Sequence, residues 1–220
     1  LAVQDYFREK NASFYHKSRQ EGLLRHFIIR KAFRTNEIMA ILVSTSDDSF
    51  DEVRKKLFVN YLTNLELDGD LVSIYHVIND SPADAVVPEK VDLIYGKDHI
   101  TEDMLGLKFN ISPFSFFQPN IFTAEKLYKK ALDLAEIDDS KNVLDLYSGT
   151  GTITQVMASR AKSATGIEIV KESVEKAKEN SKINQIGNIK FLCGDVLEEI
   201  EKVKGVYDVV ILDPPRAGIA

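Results

Sequence analysis

The stretch Val143-Leu-Asp-Leu-Tyr-Ser-Gly-Thr-Gly-Thr-Ile153 decides the fold of this 220-residue chain. Its apolar start reads as a buried strand, and Gly149 and Gly151 then make a turn that opens a helix. Glycines let the backbone approach a ligand closely, and a helix start offers unpaired N–H groups. Glu168 ends the next strand, Ser163-Ala-Thr-Gly-Ile-Glu168, where a carboxylate can hold both hydroxyls of a ribose. Cys193-Gly-Asp195 closes a further strand, and Tyr207-Asp-Val-Val-Ile-Leu-Asp213 another. Asp195 is placed either to meet an adenine amino group or to cap the helix that starts at Val196. Strand ends in this order point to a cofactor built on a nucleoside.

The details of the turn favour S-adenosylmethionine over a dinucleotide. A dinucleotide site spaces its glycines G-x-G-x-x-G so that a pyrophosphate can rest on the helix N-terminus. Here Thr152, Ile153 and Thr154 follow Gly151, and the third glycine is missing. Asp145, near the end of the strand, repels a pyrophosphate and suits the cationic amino-acid end of the methyl donor.

Composition narrows the class. No stretch approaches the ~20 apolar residues of a membrane span, and no secretory signal opens the chain. One cysteine excludes an internal disulfide and fits a cytoplasmic protein. A first residue other than Met predicts a start inside a longer gene product. The net charge of −6 is unevenly spread: residues 1–40 carry eight basic and four acidic side chains, a balance of +4, which leaves −10 for the remainder. Such asymmetry suits a phosphate-facing surface on the N-terminal part, with Arg25, Arg30 and Lys31 as candidate contacts, and equally a solvated sheet face. The four histidines are scattered and form no metal-ligand spacing.

Residues 12–110 read as β-rich, with strands at 23–30, 37–43, 72–78, 91–95 and 107–111. A helix at 50–65 places Val53, Leu57, Tyr61 and Leu65 on one side. From about residue 120 helices and strands alternate, beginning with a helix at 121–136 whose buried side carries Leu127, Ala131, Leu134 and Ala135. The fold expected is α/β: a smaller α+β domain over 1–118, then a Rossmann-like parallel sheet over 119–220 with ligands at the carboxyl ends of its strands.

Four segments together resemble the RNA (uracil-5-)-methyltransferase family, which methylates C5 of uridines in ribosomal or transfer RNA. They are Gly22-Leu-Leu-Arg-His-Phe-Ile-Ile-Arg30, Phe109-Asn-Ile-Ser-Pro-Phe-Ser-Phe-Phe-Gln-Pro-Asn120, Val143-Leu-Asp-Leu-Tyr-Ser-Gly-Thr-Gly151 and Asp213-Pro-Pro-Arg-Ala-Gly218. The resemblance implies S-adenosylmethionine as cofactor and RNA, 23S ribosomal RNA foremost, as substrate. It places Gln118, Tyr147, Glu168 and Asp213 on cofactor-binding positions. Gln118 can donate and accept at once, which suits the amino-acid end of the cofactor or a uracil edge. Of Phe114, Phe116 and Phe117, the last is the candidate for stacking on a base, and Arg216 is a candidate substrate contact.

Family members add a cysteine thiolate to C6 of uracil, which makes C5 nucleophilic enough to take the methyl group. That cysteine lies downstream of D-P-P-R in an S-C-N-P segment, so no catalytic residue is assigned within these 220. Cys193 reads instead as a buried structural thiol. The strand ending at Leu212 is expected to form an open edge needing a cover from more chain or a partner. Two alternatives remain: a methyltransferase acting on an exocyclic amine, whose D/N-P-P is followed by an aromatic where this chain has Arg216, and a non-catalytic module that binds RNA or cofactor.

Overall fold

The computed structural model describes the chain except for positions 48, 84, 204 and 215–220. Two compact units result, Leu1–Thr101 and Glu102–Ala220. In the first, α1 (Ala2–Glu9) precedes β1 (Leu24–Lys31), β2 (Glu37–Ser44), α2 (Glu52–Thr63), β3 (Asp70–Ile78) and β4 (Lys90–Gly96). The sheet runs β1-β2-β3-β4 with antiparallel outer pairs. β2 and β3 are parallel because α2 carries the chain back between them. Helix α1 was not evident in the sequence, since its burial rests on two adjacent aromatics, Tyr6 and Phe7, rather than on a helical stripe.

The buried side of α2 is also rotated from expectation. Phe58 and Leu62 are its buried residues, whereas Val53 and Leu57 lie in solvent. Phe58 wins that place because its ring meets Tyr6, Phe7, Phe27 and Phe50, a cluster that no aliphatic side chain on the helix can match.

The second unit opens on a two-stranded sheet of β5 (Ile100–Met104), which spans the division, and β6 (Leu107–Ile111). Buried Glu102 interrupts the apolar alternation of β5 and hid it from pattern reading. Then come α3 (Ile121–Leu134), β7 (Asn142–Leu146), α4 (Thr152–Ala158), β8 (Ser163–Glu168), α5 (Lys171–Ile183), β9 (Ile189–Cys193), α6 (Val196–Lys202) and β10 (Val209–Leu212). The four strands from β7 onward form an all-parallel sheet in the order β10-β7-β8-β9. One face packs Val143, Ala164, Val209 and Ile211 against α3 and α4, while Leu144, Leu146 and Ile167 meet Val196 of α6 on the other. Among the described residues β10 and β9 are the two edges, and on β10 Val210 and Leu212 are about half exposed.

On α3 the buried stripe is Ile121, Ala124, Tyr128 and Leu132, and the expected Leu127 and Leu134 are exposed. The division between units falls at Thr101 instead of 118 because β6 is tied into the second unit. Asn180 and Asn184, one helical turn apart on α5, each grip a residue of β6 by its backbone. The Asn184 amide accepts from Lys108 N at 2.7 Å and donates to Lys108 O at 2.8 Å. The Asn180 amide accepts from Asn110 N at 2.9 Å and donates to Asn110 O at 3.4 Å. The rise of one helical turn (~6 Å) matches two residues of strand (~6.7 Å), so side-chain amides act here as the neighbouring strand. Asn180→Ala should therefore lower stability by about 2 kcal/mol in denaturant titration, since Asn180 is buried and Asn110 loses this partner.

Candidate functional site at the strand carboxyl ends

Parallel pairing brings four strand ends to one edge of the second unit. Leu146 pairs with Ile167 and with Leu212, and Glu168 pairs with Cys193. Tyr147, Glu168, Cys193 and Asp213 therefore follow on neighbouring strands, in the positions that open α/β sheets use for ligands.

Between β7 and α4 the backbone alternates into the left-handed region, with φ of 65° at Tyr147, 54° at Gly149 and 74° at Gly151. Tyrosine is rarely found there, and strain of this kind concentrates at binding sites. Gly151 has a second constraint: a Cβ on it would lie 2.6 Å from the Phe191 ring and 2.9 Å from Ala177. Gly149 differs, because a Cβ there would meet nothing within 4 Å. The turn is held from β8. Ser148 N donates to Ile167 O at 2.9 Å, and the Ser148 side chain occupies the space that a Cβ on Gly166 would fill.

Glu168 is the fixed acid of the site. One carboxylate oxygen accepts from Gly149 N at 2.9 Å and the other from Val170 N at 2.8 Å. Both bonds come from backbone, so the carboxylate is oriented in advance and keeps lone pairs for further donors. Asp195 accepts from Leu197 N and Glu198 N through one oxygen and so caps α6, as its alternative reading had it.

Asp145 lies deeper than the sequence suggested. It is buried, and its carboxylate accepts from the Thr154 hydroxyl at 2.5 Å and from the Thr154 backbone. Gly151 at the N-cap of α4 has no side chain to offer, so Asp145 serves the first turn from beneath. Burial pushes its carboxyl up to about 7. The Thr154 hydroxyl and backbone oppose the shift, and the charges of Asp213 and Glu168 add to it.

The segment before α3 closes over the turn. The Phe116 carbonyl accepts from the Thr150 hydroxyl at 3.3 Å. Phe117 is half-buried and packs against the core with its ring 5.8 Å from Phe109, whereas Phe116 is 69% exposed. Asn120 caps α3, which frees Gln118 from that duty, and burial pushes the Tyr128 phenol on that helix up to about 12. Cys193 also departs from expectation: it is exposed, at the end of the outer strand β9.

In the first unit the candidate phosphate contacts are engaged elsewhere. The Arg25 guanidinium donates to the carbonyls of Asn79, Ser81 and Ala83 at 2.7–2.8 Å and lies over the Tyr15 ring. Lys31 pairs with the Asp68 carboxylate at 3.0 Å. Burial lowers the Arg30 pKa. Arg216 lies outside the described residues.

Comparisons with known proteins follow this geometry. A family profile described as "Methyltransferase domain" matches residues 137–217. A protein of Clostridium tetani named "uncharacterized RNA methyltransferase" is 46% identical over 220 residues, 99% of this chain and 47% of its own length. Another so named, from Caldanaerobacter subterraneus, is 41% identical, covering 98% and 47%. The chain thus spans about half the length of the curated relatives it matches. Among solved structures, the Pyrococcus abyssi tRNA (uracil-54, C5)-methyltransferase in complex with S-adenosyl-L-homocysteine superposes on 100% of this chain and 50% of its own, with a TM-score of 0.78 and 28% identity. Trm5b from the same organism shares the fold, at a TM-score of 0.52 and 14% identity.

The two turn glycines should respond differently to substitution. Gly151→Ala should cost about 3 kcal/mol of stability from overpacking and φ strain. Gly149→Ala should cost about 1 kcal/mol from strain alone, yet weaken S-adenosylhomocysteine binding at least tenfold in calorimetry if the open space its methyl enters holds the cofactor.

Asp145 gives a pH signature. Its folded pKa is raised, so the stability it contributes is fully present below about 4 and is lost as pH rises to about 7. Melts of the cofactor-free chain should show that decline, and Asp145→Asn should flatten it; an unchanged slope would count against the buried acid.

Proposed function

We propose that this chain, similar over its length to proteins named RNA methyltransferases and carrying a Rossmann-like, S-adenosylmethionine-dependent domain, is the donor-binding part of an enzyme that methylates C5 of uridine in RNA. The observation that supports this reading most is the match of the whole chain to half of a tRNA (uracil-54, C5)-methyltransferase, joined to the Ser115-Phe-Phe-Gln118 segment lying over the glycine turn. The residues fit the donor. A space opens beside Gly149, Glu168 is oriented by two backbone N–H groups to take ribose hydroxyls, and Asp145 and Asp213 favour a cation. Gln118 and Asp213 meet its amino-acid end, Tyr147 flanks it at the turn, and Asp195 stays within reach of adenine through its second oxygen. When bound, the donor supplies an electrophilic methyl group.

The acceptor is a base in structured RNA, ribosomal or transfer. C5 of uracil is weakly nucleophilic until a thiolate has added to C6, and the base must leave its stack for that addition. Exposed Phe116, beside the turn, suits stacking on the flipped base. Cys193 is the one cysteine and is wrongly placed for the attack. Its strand is three places from β10 in the sheet, which at about 4.8 Å per strand sets it roughly 14 Å from the Asp213 side. A thiolate from outside these 220 residues completes the reaction.

The 220 residues alone should bind S-adenosylhomocysteine in calorimetry and transfer no label from methyl-labelled donor to uridine-containing RNA. A longer product that includes them should release tritium from [5-3H]uridine RNA and yield 5-methyluridine by mass spectrometry. Transfer by the 220 residues would refute the external thiolate, and a methylated exocyclic amine would favour the amine methyltransferase reading.

A further inference from the structure

Phe116 is an exposed ring beside the glycine turn, and an exposed ring lacks the close packing that orients a buried one. Its backbone is what the structure holds, through three consecutive residues. The Ser115 hydroxyl donates to Ser112 O at 3.2 Å, and the Phe117 ring packs against buried Phe109. Both of these anchors are local to the segment before α3. The third is not: the Phe116 carbonyl accepts from the Thr150 hydroxyl at 3.3 Å, across 34 residues.

Thr150 is a firm base for that bond. It is buried and stands between Gly149 and Gly151, both in the left-handed region. On one side Gly149 N donates to the Glu168 carboxylate at 2.9 Å. On the other Gly151 N donates to Ser148 O at 2.8 Å, and Phe191 and Ala177 close on Gly151. The residue that gives its hydroxyl to Phe116 is therefore the direct neighbour of the one whose N–H orients Glu168.

We infer that Thr150 is a positioning residue: its hydroxyl ties the Phe116 backbone to the donor turn and sets the exposed ring where the accepting base stacks. This rests on the reading of Phe116 as the stacking surface. Two adjacent residues then keep the substrates in register, with open space at Gly149 for the donor and Thr150 holding the ring for the acceptor. Methyl transfer needs both partners in near-attack geometry, so that register bears on the rate. Ordering the ring beforehand also removes part of the entropy cost of stacking on it. A hydrogen bond of this class shifts a local equilibrium about two- to tenfold, which sets the scale of the effect.

The chain contains no tryptophan, so Phe116→Trp places a single fluorophore at the ring. A single-stranded oligouridine RNA should quench that fluorophore as its bases stack. Adding Thr150→Val, which keeps the branched shape and removes the hydroxyl, should lower the anisotropy of the tryptophan and weaken the quenching affinity about fivefold. Thr150→Ser restores the hydroxyl and should recover both. S-adenosylhomocysteine binding in calorimetry should stay at the parent's affinity in each variant. Unchanged anisotropy and quenching in Thr150→Val would overturn the inference. Losses that Thr150→Ser fails to recover, or that come with loss of S-adenosylhomocysteine binding, would trace to side-chain shape or a damaged turn and overturn it as well. No quenching in Phe116→Trp itself would refute Phe116 as the stacking surface and this inference with it, while retained S-adenosylhomocysteine binding would leave the donor site standing.

Discussion

The backbone reversal at Tyr147–Gly151 is the constraint on which the second unit depends. Three of its five residues are left-handed, and the turn is held from several sides. Phe191 of β9 and Ala177 of α5 close on Gly151, Gly166 of β8 leaves room for Ser148, and Glu168 takes the N–H of Gly149. The shape of the turn is thus written on β8, β9 and α5 more than on the turn itself. A further consequence reaches into the core. Because glycine stands at the N-cap of α4, the helix start recruits Asp145 from the strand beneath, and the fold accepts a buried acid as the cost of an open turn.

The sequence disclosed the strands more faithfully than the helix faces. Alternation of apolar residues is a local property, and β8, β9 and β6 occupy the residues it marked. A helix face is decided by its partner. On α3, Leu127 and Leu134 advertise a stripe, but Tyr128 and Ala124 face the sheet, one offering a large ring and the other a close approach. On α2 an aromatic cluster claims Phe58 in the same way. The charges of β1 misled for a related reason. Arg25 resembles a phosphate contact until the 79–83 loop returns three carbonyls to it from more than fifty residues away. Long-range partners of this sort leave no mark on local pattern, and the Asn180–Asn184 grip on β6 belongs with them.

Within the site, legibility followed chemistry. Glu168 stood out as a carboxylate at the end of the second strand, and there the structure gives it two backbone donors. Asp195 had two readings and fulfils the capping one through one oxygen, leaving the other unspent. Phe116 and Phe117 are adjacent and chemically alike, so only packing against Phe109 could separate them.

The acids at the strand ends give the site its selectivity by sign. Burial above all raises the Asp145 carboxyl to about 7, and the charges of Asp213 and Glu168 raise it further and disfavour another anion there. A pyrophosphate entering this turn would meet that field without a third glycine to make room for it. A sulfonium and an ammonium would meet the same field as attraction, and each would lower the cost of keeping the carboxylates ionised. The missing glycine and the buried aspartate are therefore two expressions of one preference: steric at the turn and electrostatic beneath it, both set against phosphate and toward a cationic nucleoside.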